Sequence, residues 1–254
     1  MYATTENRIG TPPTIVTLTS ADWSKFLGRD TNSAGTVPLP YPGQVILATD
    51  PIFGECAFML AYGLASLAIG EAVMIGAGYA VTRTIAATRG IVGISMSANT
   101  DSTALSWFCV RGQVPAKLLA AAANTNLFTS ATAGNLTTTV VATQGVTGAV
   151  SLTALAAAIG TKLVGTVNGS PNLAVPDVSG LYVGCGVTGT GIPGSTTVLA
   201  IGYGGPMLGL TGPMPGNVTL SANATATGNV TGSFIHGAAF ALIQLGHPIA
   251  ANLG

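Results

Sequence analysis

The segment Gly90-Ile-Val-Gly-Ile-Ser-Met-Ser-Ala-Asn-Thr-Asp-Ser-Thr-Ala-Leu-Ser-Trp-Phe-Cys-Val-Arg-Gly112 decides the fold class. Its two ends, 90–97 and 105–112, are strand-length runs rich in β-branched or aromatic residues, and the Asn, Asp and Ser between them are turn formers. Residues 71–75 and 137–143 read the same way, so 54–143 is a series of short strands whose spacing predicts a sandwich or barrel. Two Ala-rich stretches, 115–123 and 151–159, are predicted as short helices.

Further along, the texture changes. Gly, Thr, Val and Asn dominate 165–232, and Gly180, Gly184, Gly186, Gly189, Gly191 and Gly194 fall at near-regular intervals. Glycines in strand-like surroundings mark turns and bulges, so this stretch predicts a second β-rich module. After it comes an apolar strand, Phe240-Ala-Leu-Ile-Gln-Leu245, closing with Pro248. Upstream, residues 1–44 contain Pro12, Pro13, Pro38, Pro40 and Pro42, and their proline-rich end sustains neither a helix nor a central strand. The whole is expected to be all-β: a small β-barrel or sandwich body (45–164 and 233–254), an extended N-terminal arm (1–44) and an inserted module (165–232).

Composition narrows the function. Only eight Lys and Arg and eight Asp and Glu occur in 254 residues, 6% of the chain, and none lies beyond Asp177. A typical soluble domain has about a quarter of its residues charged. Mean hydropathy is +0.58, and a surface so neutral suits contact with other protein surfaces. A membrane span is not expected, because the best candidate, 56–80, is interrupted by Gly63, Gly70, Glu71, Gly76 and Gly78. Residues 1–13 hold charges and two prolines and do not read as a secretory signal. Balanced, scattered charge also argues against a nucleic-acid partner.

In the arm, Ser20 can cap a turn that places Trp23, Phe26 and Leu27 on one side. Ordering some forty residues costs tens of kcal/mol, at ~1–2 kcal/mol each. The arm is therefore expected to lie on a partner surface, with Trp23, Phe26, Leu27, Pro38, Pro40, Tyr41 and Pro42 as candidate contacts to a partner or sister subunit.

No catalytic, metal or cofactor residues are assigned. Gly184-Cys-Gly-Val-Thr-Gly189 matches G-x-G-x-x-G, but Gly191, Pro193 and Gly194 leave no room for the helix that a dinucleotide needs. Val73-Met-Ile-Gly-Ala-Gly-Tyr79 imitates only the start of that motif. His236 and His247 have no acidic neighbour in sequence and read as surface or subunit-contact histidines. Ser95 lacks the second glycine of a nucleophile elbow, and the acids are dispersed singly. Cys56, Cys109 and Cys185 read as buried reduced thiols. Asn135, Asn168, Asn217, Asn223 and Asn229 head N-x-[ST] triplets that reflect composition.

Several segments are familiar in order: Phe53-Gly54-Glu55, Met59-Leu-Ala-Tyr-Gly-Leu-Ala-Ser66, Arg89-Gly-Ile-Val-Gly-Ile-Ser-Met-Ser-Ala-Asn99, Ser106-Trp-Phe-Cys-Val-Arg-Gly-Gln113 and Asn126-Leu-Phe-Thr-Ser-Ala-Thr-Ala-Gly134. Over 54–143 and the last strand the chain resembles the capsid decoration, or cement, proteins of tailed bacteriophages. The stretch 178–198 with 218–228 resembles a small β-unit scattered through phage virion proteins, tail and fibre components included. The inserted module departs from the decoration pattern.

The resemblance implies a non-enzymatic protein made in the host cytoplasm that binds the outer surface of an assembled capsid, bridges major capsid subunits and forms homotrimers. The alternative is a tail or fibre component binding a host receptor or glycan. A hydrolase acting on the host envelope has no residue constellation behind it.

Overall fold

The structure is a computed structural model that describes residues 3–4, 42–50, 52–87, 89–99, 102, 105–142, 144–203 and 215–251. The fold is all-β, and no α-helix occurs among the described residues. The body opens with β1 (Ala3–Thr4), β2 (Val45–Asp50), β3 (Gly54–Tyr62), β4 (Ala72–Ile75), β5 (Val81–Arg83), β6 (Gly90–Ser95), β7 (Leu105–Lys117), β8 (Thr125–Thr129), β9 (Leu136–Thr137) and β10 (Gly145–Ser151). The module follows as β11 (Ala158–Thr166), β12 (Asn172–Val175), β13 (Gly186–Gly189), β14 (Ile192–Tyr203), β15 (Gly216–Leu220) and β16 (Gly228–Ile235). The chain then returns to the body as β17 (Phe240–Ala250).

In the body the strands form one antiparallel sheet in the order β1-β2-β3-β7-β6-β17-β10-β8-β9, with β4 and β5 continuing from β6. The long strands β7 and β17 pair from Arg111–Gly246 to Lys117–Phe240 and then diverge. Into that fork fits β6, which pairs with β17 through Ile91–Ile249 and with β7 through Ile94–Cys109. At the far edge, the parallel bridge Leu118–Leu136 and the bond from Thr138 N to Ala120 O (3.0 Å) bring β9 back to the end of β7. This tie blunts an edge that would otherwise be open.

Alternation along β3, β6 and β7 sends side chains to two cores. Cys56, Phe58, Leu60, Val92, Ile94, Trp107 and Cys109 enter one cluster together with Leu127, Leu136 and Ile243. Ala57, Ala61, Phe108 and Val110 enter the other, with Val73, Ile75 and Val81 of the β4–β5 hairpin. Strands buried on both faces read as near-continuous apolar runs, which is the pattern of 105–110. Just past the bulge at Val110, where β3 meets β7, Gly112 takes φ +107°, and a Cβ there would collide with Cys56. Glycine alone fits both demands.

The module is a closed barrel, β11-β12-β15-β14-β13-β16. Val164, Leu173, Val175, Val187, Val198, Val218, Leu220 and Phe234 point inward and fill it, as side chains fill small barrels. Along β12 the exposed–buried alternation has period two, the signature of a sheet with one wet face.

Local expectations fail at three places. Residues 115–123 are not helical: Pro115, Ala116 and Lys117 continue β7 and pair with Leu242, Ala241 and Phe240. Pro115 is tolerated because the β3 and β6 ladders on the other side of β7 have already ended, so no sheet bond needs its missing N–H. Residues 151–159 are the end of β10, a turn and the start of β11. Of the run 137–143 only Thr137, the end of β9, is in a strand among the described residues, and Val140 is 76% exposed.

Candidate interaction surfaces

Of the candidate contact residues, Trp23, Phe26, Leu27, Pro38, Pro40 and Tyr41 lie outside the described residues, and Pro42 sits half-buried in the turn entering β2. Beside it Gly43 N donates to Leu60 O (2.7 Å), and the Tyr79 ring lies over Gly43. At the start of the arm, Ala3–Thr4 pair with Thr49 and Ala48 of the chain's own β2.

Glu55, Glu71 and Asp177 are held by cations. Glu71 meets Arg83 Nε at 2.8 Å and Lys117 Nζ at 3.6 Å, and in the exposed pair Glu55 meets Arg111 at 3.1 Å. Asp177 meets Lys162 Nζ at 3.1 Å and accepts from Ser179 N and Oγ. No group of three His, Cys, Asp or Glu gathers to hold a metal among the described residues. The G-x-G-x-x-G match falls on β13 and the turn before it, so no helix N-terminus faces those glycines. Ser95 Oγ donates to Ser97 O. None of the three cysteines forms a disulfide, and all are buried; burial, with the neighbouring Cys56 thiol, raises the Cys109 pKa, and burial pushes Cys185 up to about 11.

Apolar side chains reach water at defined points. Ile91 and Ile249 face each other across β6 and β17 and are 43% and 50% exposed, forming a two-residue apolar ridge. Around the barrel, Leu163, Val167 and Leu199 are each more than half exposed. The only charged residues in 158–235 are Lys162 and Asp177, paired with each other, so the barrel has no net charge. A shallow groove of about 430 Å³ crosses its outer face, floored by Gly165 and Ala174 and flanked by Leu163, Asn217 and Asn229.

His236 departs from the surface position expected of it. It is 2% exposed, and its Nδ1 lies 3.0 Å from the hydroxyl of Tyr182, which also accepts from Gly237 N (3.1 Å). Burial lowers the His236 pKa to about 4 and raises that of Tyr182. Both residues sit where barrel and body meet. Phe240 packs there too, with its ring centroid 5.3 Å from that of Tyr182. Nothing local in the sequence marks this site, because Tyr182 and His236 are 54 residues apart. His247, in contrast, is exposed. Compared with known proteins, the chain matches no family model, no curated protein and no solved structure.

Proposed function

We propose that this chain is a non-enzymatic virion structural protein that binds the outer surface of an assembled phage capsid and stabilises it by bridging major capsid subunits. The observation that carries the reading is the charge-poor, all-β surface: the barrel presents no net charge, and apolar side chains such as Ile91 and Ile249 stand in water. Such a surface gains little from ion pairs and much from area and shape. In this reading the arm supplies extended contacts to neighbouring subunits, in the manner of strand addition. Threefold self-association, which the family resemblance implies, multiplies each contact through effective concentration.

The test is direct. Purified protein is added to undecorated heads, free protein is removed by sedimentation, and the particles are imaged by cryo-EM. The reading expects hundreds of copies per particle at subunit junctions on the outer surface. Absence from heads, or a few copies confined to a tail, would overturn it. A second reading, a tail or fibre component that binds a host receptor or glycan, is favoured by the neutral groove between Asn217 and Asn229.

A further inference from the structure

Two chain crossings join body and barrel, residues 152–157 outward and 236–239 on the return. They touch through backbone bonds from His236 N to Ala157 O (2.8 Å) and from Ala156 N to Phe240 O (3.1 Å). A side-chain bond then ties the return crossing to the turn before β13: Tyr182 reaches both His236 Nδ1 and Gly237 N. We propose that Tyr182 and His236 form a proton-operated latch, which fixes the barrel's orientation on the body and lets the barrel turn on its two crossings when the imidazole gains a proton.

The chemistry follows from donor counting. With neutral His236, the Nδ1 lone pair accepts the Tyr182 proton while the Tyr182 oxygen accepts from Gly237 N–H, so the hydroxyl both donates and accepts. Protonation puts a hydrogen on Nδ1. Both His236 and Gly237 then donate to the same oxygen, and the hydroxyl proton of Tyr182 loses its acceptor in a site closed to water.

Among the described residues no carboxylate is paired with the imidazole. Facing the site are Tyr182 and Cys185 from the turn before β13, Phe240 from β17 and Ala157 at the entry to β11. Burial holds Tyr182 and Cys185 in their neutral forms and lowers the His236 pKa. Asp177, the barrel's one carboxylate, is engaged by Lys162 and Ser179. Away from the latch, body and barrel touch through Phe240 over Gly70 and Ile52 against Gly180.

The inference stands apart from the capsid reading and is tested on the full chain. The native cysteines are buried, so spin labels are placed on Thr188→Cys, exposed in β13, and Ala123→Cys, exposed in the body. Pulsed electron resonance reads the distance distribution at pH 7.5 and pH 4, and far-UV circular dichroism follows the strands. A narrow distribution is expected at pH 7.5 that broadens reversibly at pH 4 with the strand signal intact. Between the ordinary histidine value near 6.5 and about 4, opening should gain roughly tenfold per pH unit. Tyr182→Phe should be broad already at pH 7.5, and His236→Gln, which cannot titrate, should give the same distribution at both pH values. A wild-type distribution that stays narrow at pH 4, acid broadening in His236→Gln, or loss of the strand signal together with broadening would each overturn the latch.

Discussion

The ring of Phe240 lies directly over Gly70, so close that a methyl group on Gly70 would overlap it. Gly70 belongs to the body, whereas Phe240, the first residue of β17, belongs by contact to the barrel's core. One aromatic side chain thus fills the seam between two units that the chain otherwise connects only by short crossings. Gly70→Ala adds an overlap at a residue with φ +79° and is expected to cost about 2–4 kcal/mol. Phe240→Ala empties the seam and is expected to cost about 3–5 kcal/mol. Chemical denaturation checks both, and a loss under about 1 kcal/mol in Phe240→Ala would show that the seam does not bear on stability.

The strands of the body were legible because β-branched and aromatic runs such as 90–95 and 105–110 leave little choice of structure. The barrel's repeated glycines marked its turns. What local reading missed at 115–117 is a contest between levels: Ala-rich sequence favours a helix in isolation, but seven consecutive pairs between β7 and β17 outweigh a propensity worth tenths of a kcal/mol per residue. The latch was illegible for a different reason. Only folding brings Tyr182 to His236, and a histidine without acidic neighbours carries no sign that it is buried.

Excision of the barrel has a natural place in the structure. Ala157 O accepts from His236 N at 2.8 Å, so the cut ends are adjacent and a two- to four-residue Gly-Ser linker can replace 158–235. The body should remain folded, since its sheet uses no strand of the barrel. It should lose about 1.5–3 kcal/mol because Phe240 becomes exposed. Circular dichroism melts of the excised protein check this, and the absence of a cooperative transition would show that the body depends on its insert.

The arm should serve attachment more than folding. A cut through Gln44 would remove the bonds from Gly43 N to Leu60 O and from Leu60 N to Gln44 O, so the informative truncation removes 1–41 and leaves both. It also deletes β1, whose two residues add little to the sheet. The thermal midpoint should move by only a few degrees, about 2–4 °C per kcal/mol for a chain of this size, while binding to undecorated heads weakens strongly. A truncated protein that decorates heads as tightly as the full chain would defeat the expectation.

Attachment should also be nearly indifferent to salt. The described ion pairs join residues within the chain: Glu71 to Arg83 and Lys117, Glu55 to Arg111, and Asp177 to Lys162. Charges already engaged have little to offer a partner, and an exposed pair is worth only about 0–1 kcal/mol. On the neutral-surface account binding draws mainly on apolar area, at roughly 25 cal/mol per Å², and on multivalency. Raising salt from about 0.1 M to 1 M shortens the Debye length from roughly 10 Å to 3 Å, yet should release little protein from heads in a sedimentation assay. Charging the ridge should act in the opposite way: Ile91→Glu with Ile249→Glu places two like charges opposite each other across β6 and β17. If that ridge meets the capsid, the double variant binds weakly at every salt concentration while its melt stays within a few degrees of wild type. Release of the wild-type protein in step with ionic strength would instead identify a charged partner surface, and the neutral-surface account of binding would fail.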